Sequence, residues 1–228
     1  MSRPRALLLD ALGTLLELEP PVPALREALR ARLGLEIEPA LVADALAGEI
    51  AFYRAHHLEG RDARTLESLR SRCTEVLRAG LGPAARAASA AALQEALLGS
   101  LRFATFPDVP GALTGLREEG VRLVVVSNWD CSLPEVLERA GLAELVDATV
   151  TSASCGVAKP DPAVFERGLA VAGVSAAQAW HAGDSSREDV EGARAAGVEA
   201  VLVVRDDAAA PAGVRCVRSL AELALAGA

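Results

Sequence analysis

The last half of the chain constrains the fold most. From Pro107 onward, short apolar runs alternate with helical segments. A helix is expected over 110–119, stopped by Gly120, then a buried strand over 121–126 carrying Val124-Val125-Val126. A helix over 133–140, a strand over 146–151 and a helix over 162–172 follow. Then come a strand over 177–182, a helix over 187–196, a strand over 200–204 and a last short strand over 214–217, with Ser219 capping a terminal helix. Strands alternating with helices of about ten residues are βαβ units, and they build a parallel sheet.

One more strand of this kind lies near the start. The run Ala6-Leu7-Leu8-Leu9 reads as a strand over 5–10, buried on both faces and ending in Asp10. Gly13 and Thr14 follow at once. Residues 15–23 form a connector in which Pro20, Pro21 and Pro23 hold off helix until it ends. Over 22–101 the grammar is helical only. Leu25, Leu29 and Leu33, then Val42, Leu46 and Ile50, then Leu66, Leu69, Cys73 and Leu77, then Leu93, Leu97 and Leu101 recur at helical spacing. The expected fold is therefore α/β, a doubly wound, Rossmann-like parallel-sheet core over 1–18 and 104–228. A helical domain over 19–103 interrupts it after the first strand.

Composition narrows the function. With 23 Lys and Arg against 31 Asp and Glu, the formal net charge is −8, which argues against a nucleic-acid partner. No apolar run is long enough for a membrane span, and no signal peptide is legible, so a cytoplasmic protein is expected. Cys73, Cys131, Cys155 and Cys216 have no metal-ligand spacing and read as thiols. Oligomeric state is not legible.

The chemistry-bearing residues fall at strand ends. Asp10 ends the first strand, Ser127-Asn128 the strand over 121–126, and Gly183-Asp184 the strand over 177–182, with Asp189 one helical turn on. Lys159 lies in the loop Gly156 to Pro162. In a parallel sheet these ends converge on one edge, where open α/β sheets place ligands. Each residue alone has an ordinary alternative: Ser127-Asn128 or Asp184 as helix caps, Lys159 as a solvated loop lysine, Asp189 as surface. Together they make a site. Three carboxylates repel one another and call for a hard cation, and Mg²⁺ takes a few carboxylates, waters and a phosphate oxygen. Lys159 adds a fixed positive charge, and Asp10 becomes the in-line nucleophile of a phosphoryl-transfer site.

These stretches resemble a family. Asp10-Ala11-Leu12-Gly13-Thr14-Leu15, Val126-Ser127-Asn128, Lys159-Pro160-Asp161-Pro162 and Gly183-Asp184 through Asp189 to Ala193 look like the four ordered motifs of the haloacid dehalogenase-like (HAD) hydrolase superfamily. The helical stretch lies where that family inserts its C1 cap. The resemblance implies Asp10 as nucleophile and metal ligand, with the Leu12 backbone carbonyl as a further ligand. It implies Ser127 and Asn128, with Thr14 and Trp129, on the substrate side, and Lys159 as the residue that steadies the charge. Asp184 becomes the second metal carboxylate, and Asp189 completes the metal set. The implied activity is Mg²⁺-dependent hydrolysis of a small phosphorylated metabolite through an aspartyl-phosphate.

One position departs from that pattern. Phosphatases of the family usually carry a second aspartate where this chain has Leu12. General acid–base help of that kind is worth about 10²–10⁴-fold. Glu17, Glu19, His56 and His57 are candidate substitutes, although both histidines read as a solvated helix face. The 2-haloacid dehalogenases also lack that aspartate, because a halide leaves without a proton. They need no metal, and this chain keeps Asp184 and has Glu188 where they carry an aromatic. A dehalogenase, which would need a halide-binding arginine such as Arg54, and a catalytically weak or non-catalytic ligand-binding homologue are the alternatives.

Overall fold

The computed structural model describes residues 3–205 and 213–225. The chain divides into two units, Met1–Glu17 with Ala104–Ala228, and Leu18–Phe103. The first elements are β1 (Ala6–Leu9), β2 (Leu16–Leu18), α1 (Pro21–Leu33), α2 (Pro39–His56), α3 (Ala63–Leu81), α4 (Ala90–Ser100) and β3 (Phe103–Thr105). Then follow α5 (Val109–Glu118), β4 (Arg122–Ser127), α6 (Leu133–Arg139), β5 (Ala148–Thr151), α7 (Ser152–Cys155) and α8 (Pro162–Ala172). Last come β6 (Ala179–Gly183), α9 (Gly192–Ala195), β7 (Glu199–Val203), β8 (Arg215–Val217) and α10 (Ala221–Leu225).

The six-stranded sheet runs β5-β4-β1-β6-β7-β8, and every pairing is parallel. From β1 the chain winds outward through β4 and β5, then returns to β6 on the other side of β1 and winds outward again. β1 is thus central, which explains its unbroken apolar run: Leu7, Leu8 and Leu9 are each 0% exposed. Burying a leucine side chain contributes about 1.5–3 kcal/mol. Leu8 packs with Val124, Val126, Phe165 and Leu202 in one core cluster. In register, Leu9 lies level with Val125 of β4 and Ala182 of β6, so Asp10 leaves the sheet beside the last residues of its two neighbours.

The other unit is helical, α1 to α4, with its own core of Leu25, Leu29, Val42, Leu46, Leu69, Leu77, Leu93 and Leu97. These are the residues that recur at helical spacing in the sequence. Asp62 and Thr65 cap α3 reciprocally, and Gly34 ends α1 in the left-handed conformation.

Several local expectations need correction. The prolines do not hold off helix until residue 23. α1 begins at Pro21, because proline in the first turn gives up an N–H that has no helical partner anyway. The connector also holds a strand, β2, which forms a two-stranded sheet with β3. The first strand spans Ala6–Leu9 rather than 5–10, and Asp10 lies just beyond it. The strand expected over 146–151 begins at Ala148, after a 3₁₀ turn at Ala143–Leu145. The helix expected over 187–196 is a π-helical turn, Ser186–Glu191, followed by the short α9. His57 is not solvated: it is 9% exposed, and its Nδ1 is bonded to the Arg54 carbonyl.

Glu49 is the anomaly of the helical core. It is 3% exposed on α2, beside Cys73 of α3. Burial pushes its carboxyl up, and a hydrogen bond with the Cys73 thiol only partly offsets this. A carboxyl raised on folding stabilises fully below its unfolded pKa, and that contribution is lost as pH rises through the folded value. Glu49→Gln keeps an acceptor and cannot ionise, so its stability relative to wild type is expected to grow between pH 5 and pH 8. A gain of about 1 kcal/mol is expected, the order of one buried polar interaction. Denaturant titrations at the two pH values test this, and a pH-independent difference would refute it.

Candidate active site

The carboxyl edge of β1, β4 and β6 carries the site. Asp10 follows the last residue of β1, and its backbone N–H continues the ladder to the Ala182 carbonyl at 2.9 Å. The loop after it is tight: the N–H groups of Leu15 and Leu16 both bond the Ala11 carbonyl, and Gly13 N–H bonds the Leu16 carbonyl. None of these bonds uses the Leu12 carbonyl. Asp10 is 6% exposed. Its Oδ1 accepts from the Ser127 hydroxyl at 2.8 Å and from Lys159 Nζ at 2.6 Å. Its Oδ2 accepts no hydrogen bond among the described residues.

Lys159 is the hub. It is 4% exposed, and its ammonium also donates to Asp189 Oδ1 at 2.6 Å. Burial alone would lower this amine, but Asp10 and Asp189 outweigh that and raise it above its ordinary value. Asn128 grips the lysine's backbone: its Oδ1 accepts from Lys159 N–H at 2.7 Å, and its Nδ2 donates to the Lys159 carbonyl at 3.1 Å. The same Nδ2 donates to Glu188 Oε2 at 3.0 Å. The Lys159–Pro160 peptide is cis. Ser127, Asn128 and Lys159 are therefore neither caps nor solvated surface.

The π-helical turn explains Asp189. Its N–H and that of Val190 both bond the Ser185 carbonyl, which widens the turn. Asp189 is 1% exposed and fully engaged. Oδ1 accepts from Lys159 and from His181 Nε2 at 2.8 Å, and Oδ2 accepts from Ser185 N–H at 2.9 Å. Burial opposes its ionisation, but Lys159 and His181 hold it well below the usual carboxylate range. Asp10 is shifted the other way, raised by burial and by Asp189 against the pull of Lys159. Asp184 is exposed, and its carboxyl is pushed up to about 7 by partial burial and by the charges of Asp10 and Asp189. The helix cap that the sequence offered at Asp184 is supplied by Ser185, whose side chain accepts from Glu188 N–H.

Two glycines make room for these acids. A Cβ on Gly13, whose φ is +82°, would lie 2.1 Å from Asp184 Oδ2. A Cβ on Gly183 would lie 2.1 Å from Asp189 Cγ. Oxygens of Asp10, Asp184 and Asp189 all lie within 4.8 Å of one another. Two like charges at that separation repel by about 3–4 kcal/mol at an effective dielectric constant near 20. One ammonium faces three carboxylates, so the donor set is oxygen-only and short of positive charge. A hard divalent cation fits it.

The edge thus brings together Asp10, Ser127, Asn128, Lys159, Asp184 and Asp189. It does not bring in the Thr14 hydroxyl, which is fully buried and has no hydrogen-bond partner. Trp129 is 7% exposed, with its backbone latched to Ser152 Oγ. Sequence reasoning missed His181, which is 0% exposed in β6. The signal was present: one ionisable group inside an otherwise apolar strand needs a partner.

A parallel sheet whose central strand ends in a lysine-bridged acidic site defines the class. The chain belongs to the haloacid dehalogenase-like hydrolases, whose family model matches residues 4–197. It is 34% identical over 223 residues to the phosphoserine phosphatase of Thermus thermophilus, covering 88% of this chain and 89% of that protein. It is 43% identical over 100 residues to haloacid dehalogenase-like hydrolase domain-containing protein 3 of Bos taurus, covering 44% of this chain and only 40% of that protein. A defluorinating L-2-haloacid dehalogenase of known structure superposes with a TM-score of 0.76 at 22% identity, covering 97% of this chain and 94% of that one. That likeness speaks for the fold alone. Among the described residues, no helix is long and apolar enough to cross a membrane.

Removing the hub charge tests the electrostatics. Lys159→Met takes the ammonium from two buried carboxylates, leaving Asp10 with Ser127 and Asp189 with His181 and Ser185, and is expected to destabilise by about 3–5 kcal/mol at pH 8. The loss shrinks toward pH 5, because the orphaned carboxyls take up protons when their pKa values rise. An equal loss at both pH values in chemical denaturation would count against the ion pair as the source.

Proposed function

We propose that this protein is a Mg²⁺-dependent phosphatase acting on a small phosphorylated metabolite through an aspartyl-phosphate on Asp10. One observation carries the reading: Asp10 Oδ1 is held by Ser127 and Lys159 while Oδ2 takes no hydrogen bond. A carboxylate fixed on one oxygen and open on the other is oriented for attack. The similarity to a phosphoserine phosphatase over most of both chains supports the same reaction class.

Asp10 and Asp184, with the Leu12 carbonyl, would hold the cation, and Asp189, whose two oxygens already accept hydrogen bonds, would support the set by holding Lys159. Bound Mg²⁺ would supply positive charge to the phosphoryl oxygens. Lys159 would offer its third N–H to the phosphoryl group, and the Ser127 hydroxyl keeps Asp10 Oδ1 in place. Asp10 Oδ2 forms a bond to phosphorus as the bond to the leaving oxygen breaks, and that oxygen takes a proton from solvent. Water then hydrolyses the acyl phosphate and returns Asp10 as a carboxylate. Leu12 carries no proton, so substrates with good leaving groups are favoured.

The retained Asp184 argues against the dehalogenase alternative, in which no metal carboxylate is needed. The test is hydrolysis of an aryl phosphate by purified protein with Mg²⁺ and with excess EDTA. Turnover is expected with Mg²⁺ only, faster for aryl than for alkyl phosphates, and reduced by several orders of magnitude in Asp10→Asn. Activity undiminished in EDTA, or retained in Asp10→Asn, would overturn the reading. Metal-independent halide release from a 2-chloro acid would establish the dehalogenase instead.

A further inference from the structure

One cation near the carboxyl edge has no part in the chemistry above. Arg205 lies just beyond β7. Its Nη1 donates to Asp108 Oδ1 at 2.6 Å, and its Nη2 donates to the Thr14 carbonyl at 2.6 Å. Its guanidinium lies 4.2 Å from the centre of the Phe106 ring. Asp108 is itself anchored, since its Oδ2 accepts from Ser219 Oγ at 2.9 Å and from Leu220 N–H at 2.8 Å. Burial would raise the Asp108 carboxyl, but bonds from Leu220, Ser219 and Arg205 outweigh it, so it stays ionised opposite Arg205. Phe106 N–H bonds the Leu15 carbonyl at 3.2 Å, tying the returning chain to the outgoing one.

Thr14 closes the loop 11–14 that begins one residue after Asp10. That loop carries the Leu12 carbonyl and Gly13, against which the Asp184 carboxyl lies. The Thr14 hydroxyl has no partner among the described residues, and the Thr14 N–H bonds the Ala11 carbonyl inside the loop at 3.4 Å, so Arg205 is the group outside the loop that grips the Thr14 carbonyl.

We propose that Arg205 is a positioning residue for the reaction. By holding the Thr14 carbonyl against the Asp108–Phe106 anchor, it fixes the loop that sets Asp10, the Leu12 carbonyl and Asp184 relative to one another. Arginine suits this task, because its planar fork reaches a carboxylate and a carbonyl at once, which a lysine ammonium does not. The inference rests on the phosphatase reading for its consequence in metal affinity, and not for the loop itself.

Two readouts separate those levels. In metal-free protein, backbone hydrogen exchange at Gly13, Leu15 and Leu16 is expected to be about tenfold faster in Arg205→Met, with the amides of β1 and β4 unchanged. Mg²⁺ affinity by calorimetry is expected to weaken about tenfold, the lower range for partners that orient a metal ligand. Arg205→Lys keeps the charge opposite Asp108 and should fall between the two proteins in both readouts. It also serves as the test where Arg205→Met does not fold. Wild-type exchange at those three amides in a folded variant, or faster exchange spread evenly over the sheet, overturns the proposal. A wild-type protein that binds no Mg²⁺ refutes the phosphatase reading, and the exchange pattern then decides the positioning role alone.

Discussion

The ammonium of Lys159 is what the site depends on. It is buried and bonded to Asp10 and Asp189 at equal distances of 2.6 Å. An isolated buried ammonium would shed its proton, and two isolated buried carboxylates would each take one up. Set together, Lys159 and Asp189 keep their charges, and the cost of desolvating each is offset by the other. The sheet makes this arrangement possible. β1 lies between β4 and β6 in parallel register, so Asp10 emerges level with Val126 and Gly183, one residue short of Ser127 and Asp184. The loop bearing Lys159 is pinned to β4's exit by both ends of the Asn128 amide.

The three carboxylates are chemically alike and are driven apart by their donors. Asp189 receives Lys159, His181 and a backbone N–H, and it lies far below the usual range. Asp184 faces like charges and is pushed up to about 7. Asp10 is raised by burial and by Asp189 against the pull of Lys159, and it is held on one oxygen and open on the other. Acids whose environments separate their proton affinities mark a division of labour. Here Asp189 keeps the lysine charged and in place, Asp10 offers a free oxygen, and Asp184 is the exposed carboxyl that faces the charges of the other two.

Much of this was legible in the sequence because it is written in period and punctuation. Apolar runs alternating with helical segments gave the parallel sheet, and the polar residues ending those runs gave Asp10, Ser127, Asn128, Lys159 and Asp184. What escaped was decided by contacts distant in sequence. The wide turn at Ser186–Glu191 has an ordinary helical pattern, and only Asp189's bonds to Lys159, His181 and Ser185 favour the π form. His57 reads as surface until α2 ends and its ring turns inward. Arg205 is one arginine among many, and its partners Thr14 and Asp108 are 191 and 97 residues away. Periodicity carries no information about such pairs.

The glycines join the two levels of description. Gly13 and Gly183 sit in motifs that sequence alone reads as turn punctuation. In the structure they are spaces: each leaves its missing Cβ to a carboxyl group, Asp184 in one case and Asp189 in the other. The backbone of the nucleophile loop therefore forms one wall of the acidic cluster, and its position governs how far apart the charges lie. A loop held only by its own short bonds to Ala11 and Leu16 would let that wall move. The charge repulsion in the cluster pushes outward against it, so an external tether at the loop's far end is what the electrostatics of the site demand.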